Sequence, residues 1–331
     1  MVRTVEADSQ ARAARLEQAL AALRERFGER VVYRLRENQP LPNAPSLSTG
    51  SLGLDLASGI GGVPRGRIAE IHGPPTSGKG TLASHVLADA QRRGGFAALI
   101  DASHAADFGQ LQRCGVDLED LLLVAPQSAR EALDIACLLA ASHGLDALVV
   151  SAVNGLVLHP YGDPAAFAAG LRRLVVELAD SPTAVVFLVD VSPAWRSGGG
   201  NSARALAYAA SLRIACTPLG LVIHASGEVL GLRLRAEVVK NKLAPPNRSA
   251  EIAILRDRGV HVAAELLDLG IANGLVQNDP GGLGYQLGDR WLGRGREPAV
   301  RALDADASLL SALREALLLH QPQTPHTSPH S

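Results

Sequence analysis

With 331 residues, 47% of them hydrophobic, the chain is long enough for one large buried core with smaller appendages. Charged residues make up 20% and the formal net charge is −1, which excludes a protein held on nucleic acid by bulk positive charge but leaves a local groove open. The three cysteines, Cys114, Cys137 and Cys216, form no CxxC pair and have no histidine at metal-ligand spacing, so they read as small buried apolar residues of a reducing compartment.

The first residues, Met1 to Glu6, have no apolar core of signal-peptide type, and no apolar stretch reaches membrane-spanning length, so the expected location is the cytoplasm with no membrane contact. Residues 9–27 predict an amphipathic helix, with Leu16, Leu20, Leu23 and Phe27 at helical spacing and Gly28 as its stop. A short strand at 31–35 and a linker holding Pro40, Pro42 and Pro45 follow. This leader reads either as a solvated segment or as an arm that docks on another subunit.

From Ser46 onward, strand-length apolar runs alternate with helical stretches. The runs are 66–71, 97–101, 147–150 and 184–189; the helices are 81–92, 129–142 and 164–178. That alternation predicts an α/β fold with a mostly parallel sheet flanked by helices. Closely spaced runs at 211–215, 231–240 and 250–255 predict added antiparallel strands. A smaller unit is expected from Gly259, with helices at 263–269 and 307–319 around a Gly/Pro-rich segment at 278–284. The expected division is an arm at 1–38, a core at 39–258, a C-terminal domain at 259–320 and a disordered tail at 321–331.

The sharpest motif is Gly73-Pro74-Pro75-Thr76-Ser77-Gly78-Lys79-Gly80-Thr81, placed between a strand and a helix. Glycines at this spacing let backbone amides curl around phosphate oxygens at a helix N-terminus, and Lys79 reaches the terminal phosphates. The motif asks for Ser or Thr after the lysine, where a hydroxyl holds Mg²⁺, and Gly80 stands there instead. Thr81 is one residue late and points about 100° away on a helix. The adjacent strand through Val150 ends in Ser151 rather than a metal-binding carboxylate.

The chain resembles the bacterial RecA recombinase family over nearly its whole length. The resemblance rests on the segments 48–55, 66–74, 115–122, 238–245 and 264–270, among them Gly73-Pro74, Val238-Val239-Lys240-Asn241-Lys242 and Leu266-Leu267-Asp268-Leu269-Gly270. It implies a RecA-like P-loop core, an N-terminal helix-strand arm that docks on the neighbouring protomer, and a small α+β C-terminal domain.

The resemblance also assigns roles. Asp107 matches a residue beside the adenine, while Gln110 replaces the aromatic that stacks on the base. Ser103 stands at the position of the catalytic glutamate and Ser151 at that of the metal-linked aspartate. Asp190 replaces the glutamine that senses the γ-phosphate, and its carboxylate would repel phosphate. Lys240 and Lys242 correspond to residues that reach a neighbour's nucleotide across the filament interface; they read equally as a salt-bridged strand end. Both DNA-contacting loops are shortened. In the second, Trp195, Arg196, Gly199, Gly200 and Asn201 remain as contacts, with Trp195 either stacking on a base or plugging a protein interface.

These departures predict no working catalytic residues, no resident metal and doubtful Mg²⁺ use, with ATP binding left open. The expected function is a RecA-like accessory of DNA repair and the SOS response. It would act through contacts with RecA, with itself or with an error-prone polymerase complex in translesion synthesis, as ImuA-type proteins do, and would hold single-stranded DNA weakly. The alternative is a recombinase that binds ATP and single-stranded DNA as a filament.

Overall fold

The computed structural model describes residues 2–28, 46–151, 153–154, 163–191, 200–224, 226–278 and 284–320. The chain divides into two units, residues 1–44 and 45–331. The first holds one long helix, α1 (Val2–Phe27), which begins earlier than the apolar spacing indicates and stops at Gly28 in a left-handed conformation, φ +96°. Leu16, Leu23 and Phe27 are exposed on it. The expected strand at 31–35, the proline linker and the tail at 321–331 lie outside the described residues.

In the second unit the strands run β1 (Ile68–Gly73), β2 (Ala97–Asp101), β3 (Leu121–Val124), β4 (Ala147–Ser151), β5 (Ala184–Asp190), β6 (Leu212–Ile223), β7 (Val229–Asn241), β8 (Ser249–Leu255) and β9 (Gly259–Val260). They form one sheet in the order β3-β2-β4-β5-β1-β6-β7-β8-β9. Pairing is parallel from β3 across to β6 and antiparallel from β6 to β9, as the closely spaced later runs predict. The helices α2 (Leu52–Ala57), α3 (Lys79–Arg92), α4 (Phe108–Arg113), α5 (Ala129–Ala141), α6 (Pro164–Leu178) and α7 (Gly200–Ala209) fill the connections.

The period-2 alternation of the strands explains the two helix layers. On β5, Val185, Phe187 and Val189 join α5, α6 and α7 in one apolar cluster, whereas Ala184, Val186 and Leu188 join α3 in the other. Both faces are buried, as a parallel sheet requires. Local chemistry starts the helices. Ser128 caps α5 by accepting from the Glu131 amide, and Asp163 caps α6 ahead of Pro164. The α5–α6 contact is tight at Gly170, where a Cβ would lie 2.7 Å from Leu133 Cδ1.

The remaining elements are α8 (Val262–Ala272), a three-stranded sheet of β10 (Val276–Asn278), β11 (Gly284–Leu287) and β12 (Arg290–Arg294), then α9 (Arg296–Ala305) and α10 (Ala307–Leu319). Leu266, Leu267, Val276, Leu292, Leu303 and Leu313 form their core, which Leu52 of α2 also enters. Glu265 of α8 crosses to the start of α2, accepting from the amides of Leu52 at 2.9 Å and Gly53 at 3.2 Å and from the Ser51 hydroxyl. All three cysteines are buried and free. No described helix is long and apolar enough to cross a membrane.

Candidate phosphate-loop and nucleic-acid site

The phosphate loop leaves β1 at Gly73 and enters α3 at Lys79, between the flanking strands β5 and β6. Packing dictates its glycines. A Cβ on Gly73 would meet the Cys216 carbonyl oxygen at 2.5 Å, and one on Gly78 would meet Ile254 Cδ1 at 2.6 Å and Leu234 Cδ2 at 2.7 Å. Gly78 also takes φ +85° and caps α3 without a side chain, so the amides of the first turn keep no intrahelical acceptor. Pro74, Pro75 and Thr76 are exposed, while the Ser77 hydroxyl is buried with no hydrogen-bond partner among the described residues.

Lys79 folds back over this loop. Its ammonium donates to the Pro74 carbonyl at 3.1 Å and pairs with Asp190 Oδ1 at 2.5 Å. Asp190 ends β5 directly opposite Gly73 in the parallel register. Asn154 fixes its backbone on both sides: Nδ2 donates to the Asp190 carbonyl at 2.8 Å, and the Asp190 amide donates to Oδ1 at 2.7 Å. The ammonium meant for terminal phosphates is thus occupied by a carboxylate of the same chain.

The hydrolytic positions are equally altered. A Cβ on Gly80 would meet nothing within 4 Å, so open space stands where a metal-binding hydroxyl belongs. Thr81 cannot substitute, because its buried hydroxyl accepts from Gln110 Nε2 at 2.6 Å. Ser103 is exposed, and its hydroxyl donates to Asp101 Oδ1 at 2.8 Å. Burial would raise the Asp101 carboxyl, but the Ser103 hydroxyl and the amides of Ala106, Ser103 and Ala105 outweigh it and hold it low. Asp101 is therefore an ionised, fully engaged acceptor, unsuited to taking a proton from water. Ser151 ends β4 beside it in register. Among the described residues no three His, Cys, Asp or Glu side chains gather where they could hold a metal. The donor chemistry at Gly80 and Ser151 does not fit Mg²⁺.

Two cavities adjoin the loop. The larger, about 620 Å³, runs from Thr76 and Thr81 to Leu221 and Leu232, with Arg113 and Arg256 on its rim. The smaller, about 150 Å³, lies between Gly80, Asp107 and Ser151. Asp107 serves as the N-cap of α4, accepting from the Gln110 amide at 2.8 Å, with Arg113 at 3.8 Å.

A family profile described as "RecA N-terminal domain" matches residues 14–261. The chain is 41% identical over 319 residues to the protein titled RecA of Thermus thermophilus, covering 92% of this chain and 93% of that one. It is 37% identical to that of Chlamydia felis over 92% and 91% of the two chains, and 36% identical to that of Nitratidesulfovibrio vulgaris over 94% and 90%. This chain belongs to the RecA family.

Within this RecA-family core, Lys240 and Lys242 contact backbone carbonyls of their own chain. Lys240 Nζ donates to the carbonyls of Ala207 and Tyr208 at 2.6 and 3.2 Å, and Lys242 Nζ donates to Tyr208 at 3.2 Å. Both cations therefore sit at the C-terminus of α7, where the helix dipole favours them. Lys242 also stacks over the Tyr208 ring at 5.5 Å. Burial, then the charges of Lys242 and Arg213, lower the Lys240 ammonium. The salt bridge nearby is a different one, a bidentate pair of Arg213 with Glu70 at 2.7 and 2.9 Å.

Of the expected DNA contacts, Gly200 and Asn201 open α7, with Asn201 exposed. Trp195, Arg196 and Gly199 lie outside the described residues, as does most of the first loop. Sequence reasoning missed Asn154, Asp101 and Arg256. A hydrophilic residue three positions past the end of β4 was the available signal for Asn154, and the hydroxyl of Ser103 two residues on was that for Asp101; the place of Arg256 beside the loop depends on contacts between distant segments.

Proposed function

We propose that this chain acts in RecA-type DNA strand exchange and repair as a subunit that associates with single-stranded DNA and RecA-fold neighbours without turning over ATP. Similarity to chains titled RecA over about nine-tenths of their length supports the recombination side of this reading. The observation that carries its second half is the Lys79–Asp190 pair, set in a site with Gly80, Ser103 and Ser151 where hydrolysis needs a hydroxyl and two carboxylates. A positioned general base alone contributes roughly 10²–10⁴-fold in rate, and metal anchoring adds to that. The exposed apolar stripe of α1 suits an arm, residues 1–38, that docks on a neighbouring RecA-fold subunit. Trp195 and Arg196 suit weak, salt-sensitive binding of single strands by stacking and phosphate contact. The cytoplasm is the matching compartment.

A second reading, an SOS accessory of ImuA type that assists an error-prone polymerase complex in translesion synthesis, is favoured by the same catalytic losses. Strand-pairing and ATPase assays on the full chain, with and without single-stranded DNA, separate the readings. The first expects strand pairing with ATP turnover at background. Turnover comparable to a working recombinase, abolished by Lys79→Ala, refutes the non-hydrolysing assignment; failure to pair strands together with stimulation of a polymerase supports the second reading.

A further inference from the structure

We infer that the phosphate loop takes a nucleoside diphosphate in preference to a triphosphate, without a divalent cation, and that Asp190 is the residue that sets this preference. The inference rests on reading residues 73–81 as a phosphate cradle and concerns which ligand that cradle accepts.

The cradle itself is intact. Gly73 and Gly78 hold the loop in shape, the first-turn amides of α3 face an open N-terminus, and the buried Ser77 hydroxyl lacks a partner. Beside it the pocket of about 620 Å³ is of the size that small-ligand sites have, with apolar Leu221, Leu232 and Ile254 for a base and polar Gln110, Arg113 and Arg256 near them. A nucleoside with phosphate on the loop amides is accommodated by these parts.

A third phosphate is the difficulty. In such loops the lysine ammonium serves the terminal phosphates, and here it is held at 2.5 Å by Asp190. The carboxylate offers Lys79 what a γ-phosphate would: anionic oxygens at hydrogen-bond distance. It is also well placed. The backbone of Asp190 is locked between β1 in the sheet and the amide of Asn154, which leaves only its side-chain torsions to move the carboxylate. A triphosphate brings more negative charge against Asp190 than a diphosphate does, or must displace it from Lys79 more fully, and either lowers its relative affinity.

A divalent cation would ordinarily relieve this repulsion by bridging phosphate oxygens, anchored by a loop hydroxyl and a strand-end carboxylate. Gly80 faces open space and Ser151 replaces the acid, so these two positions supply neither the loop hydroxyl nor the strand-end carboxylate. Metal then contributes little to binding of either nucleotide.

Isothermal titration of the full chain with ADP and with ATP, each in Mg²⁺ and in EDTA, tests this directly. The expected result is ADP binding at least about tenfold tighter than ATP, with little change on adding EDTA. Asp190→Asn, with folding checked by thermal melting, should abolish most of the preference by tightening ATP. A wild-type ratio below about tenfold, or ATP binding that depends strongly on Mg²⁺, overturns the inference without recourse to any variant. So does a preference that persists in folded Asp190→Asn. Absence of binding by either nucleotide at millimolar concentration also overturns it, and leaves the strand-exchange reading to its own assay.

Discussion

Replacing Glu265 with Gln removes a buried, proton-binding group from the junction of α8 and α2. The side chain is 7% exposed and accepts from the Leu52 and Gly53 amides and the Ser51 hydroxyl. Burial, aided by the nearby charge of Asp55, pushes its carboxyl up to about 7 from an ordinary 4.5, against the pull of those three donors. Between these values the folded chain keeps a proton that the unfolded chain has released, so stability falls as pH rises across the window. A rise from 4.5 to about 7 corresponds to roughly 3 kcal/mol lost by the top of the window. Glutamine does not titrate, so wild type should lose about that much stability relative to Glu265→Gln between pH 4.5 and 7. Asp55, pushed up to about 6 by burial, acts in the same direction, and His85, held down at about 4, acts oppositely; both are common to the two proteins and largely cancel in the difference. Urea unfolding of both proteins across this range reads the effect. A wild-type minus variant difference that stays constant within about 1 kcal/mol would refute the assignment.

Two further outcomes follow from packing and burial. His85 accepts the Val260 amide at Nε2, 3.0 Å away, and burial holds its imidazole at about 4 against an ordinary 6.5. Its stabilising effect is full above 6.5 and lost as pH falls toward 4, so His85→Gln should lessen acid destabilisation by about 3 kcal/mol, measured by denaturation at each pH. Gly170→Ala forces a methyl group within 2.7 Å of Leu133 Cδ1 and 2.9 Å of its Cβ, which should destabilise by about 1–3 kcal/mol; an unchanged melting temperature would show that α5 and α6 separate freely.

The parallel half of the sheet was legible because β2, β4 and β5 are continuous apolar runs ending in polar residues, Asp101, Ser151 and Asp190. β3 escaped notice: it is an edge strand, and its Leu122 and Leu123 are exposed, so no alternation marks a buried face. The strands β10 to β12 are three to five residues long, too short for a periodic signal, and Pro298 disguises the first turn of α9. At the site, the losses at Gly80, Ser103 and Ser151 could be read directly, because each is a missing functional group. The position of Asp190 could not. Sequence reasoning treated its charge as repelling phosphate but did not show that the register that sets it opposite Gly73 also gives it Lys79 as a partner. Lys240 and Lys242 likewise find backbone carbonyls of α7, more than thirty positions away in sequence.

The cramped backbone around Gly73 and Gly78 separates two kinds of residue within one nine-residue signature. At those two positions any side chain collides with the Cys216 carbonyl or the methyls of Leu234 and Ile254, whatever ligand the loop does or does not hold. At position 80 nothing collides, and only chemistry would call for a hydroxyl. Loss of a need for hydrolysis would leave position 80 free to vary while geometry keeps 73 and 78 in place. The glycines testify to how this loop is wedged between strands; what the protein does with phosphate is written in the residues that had room to change.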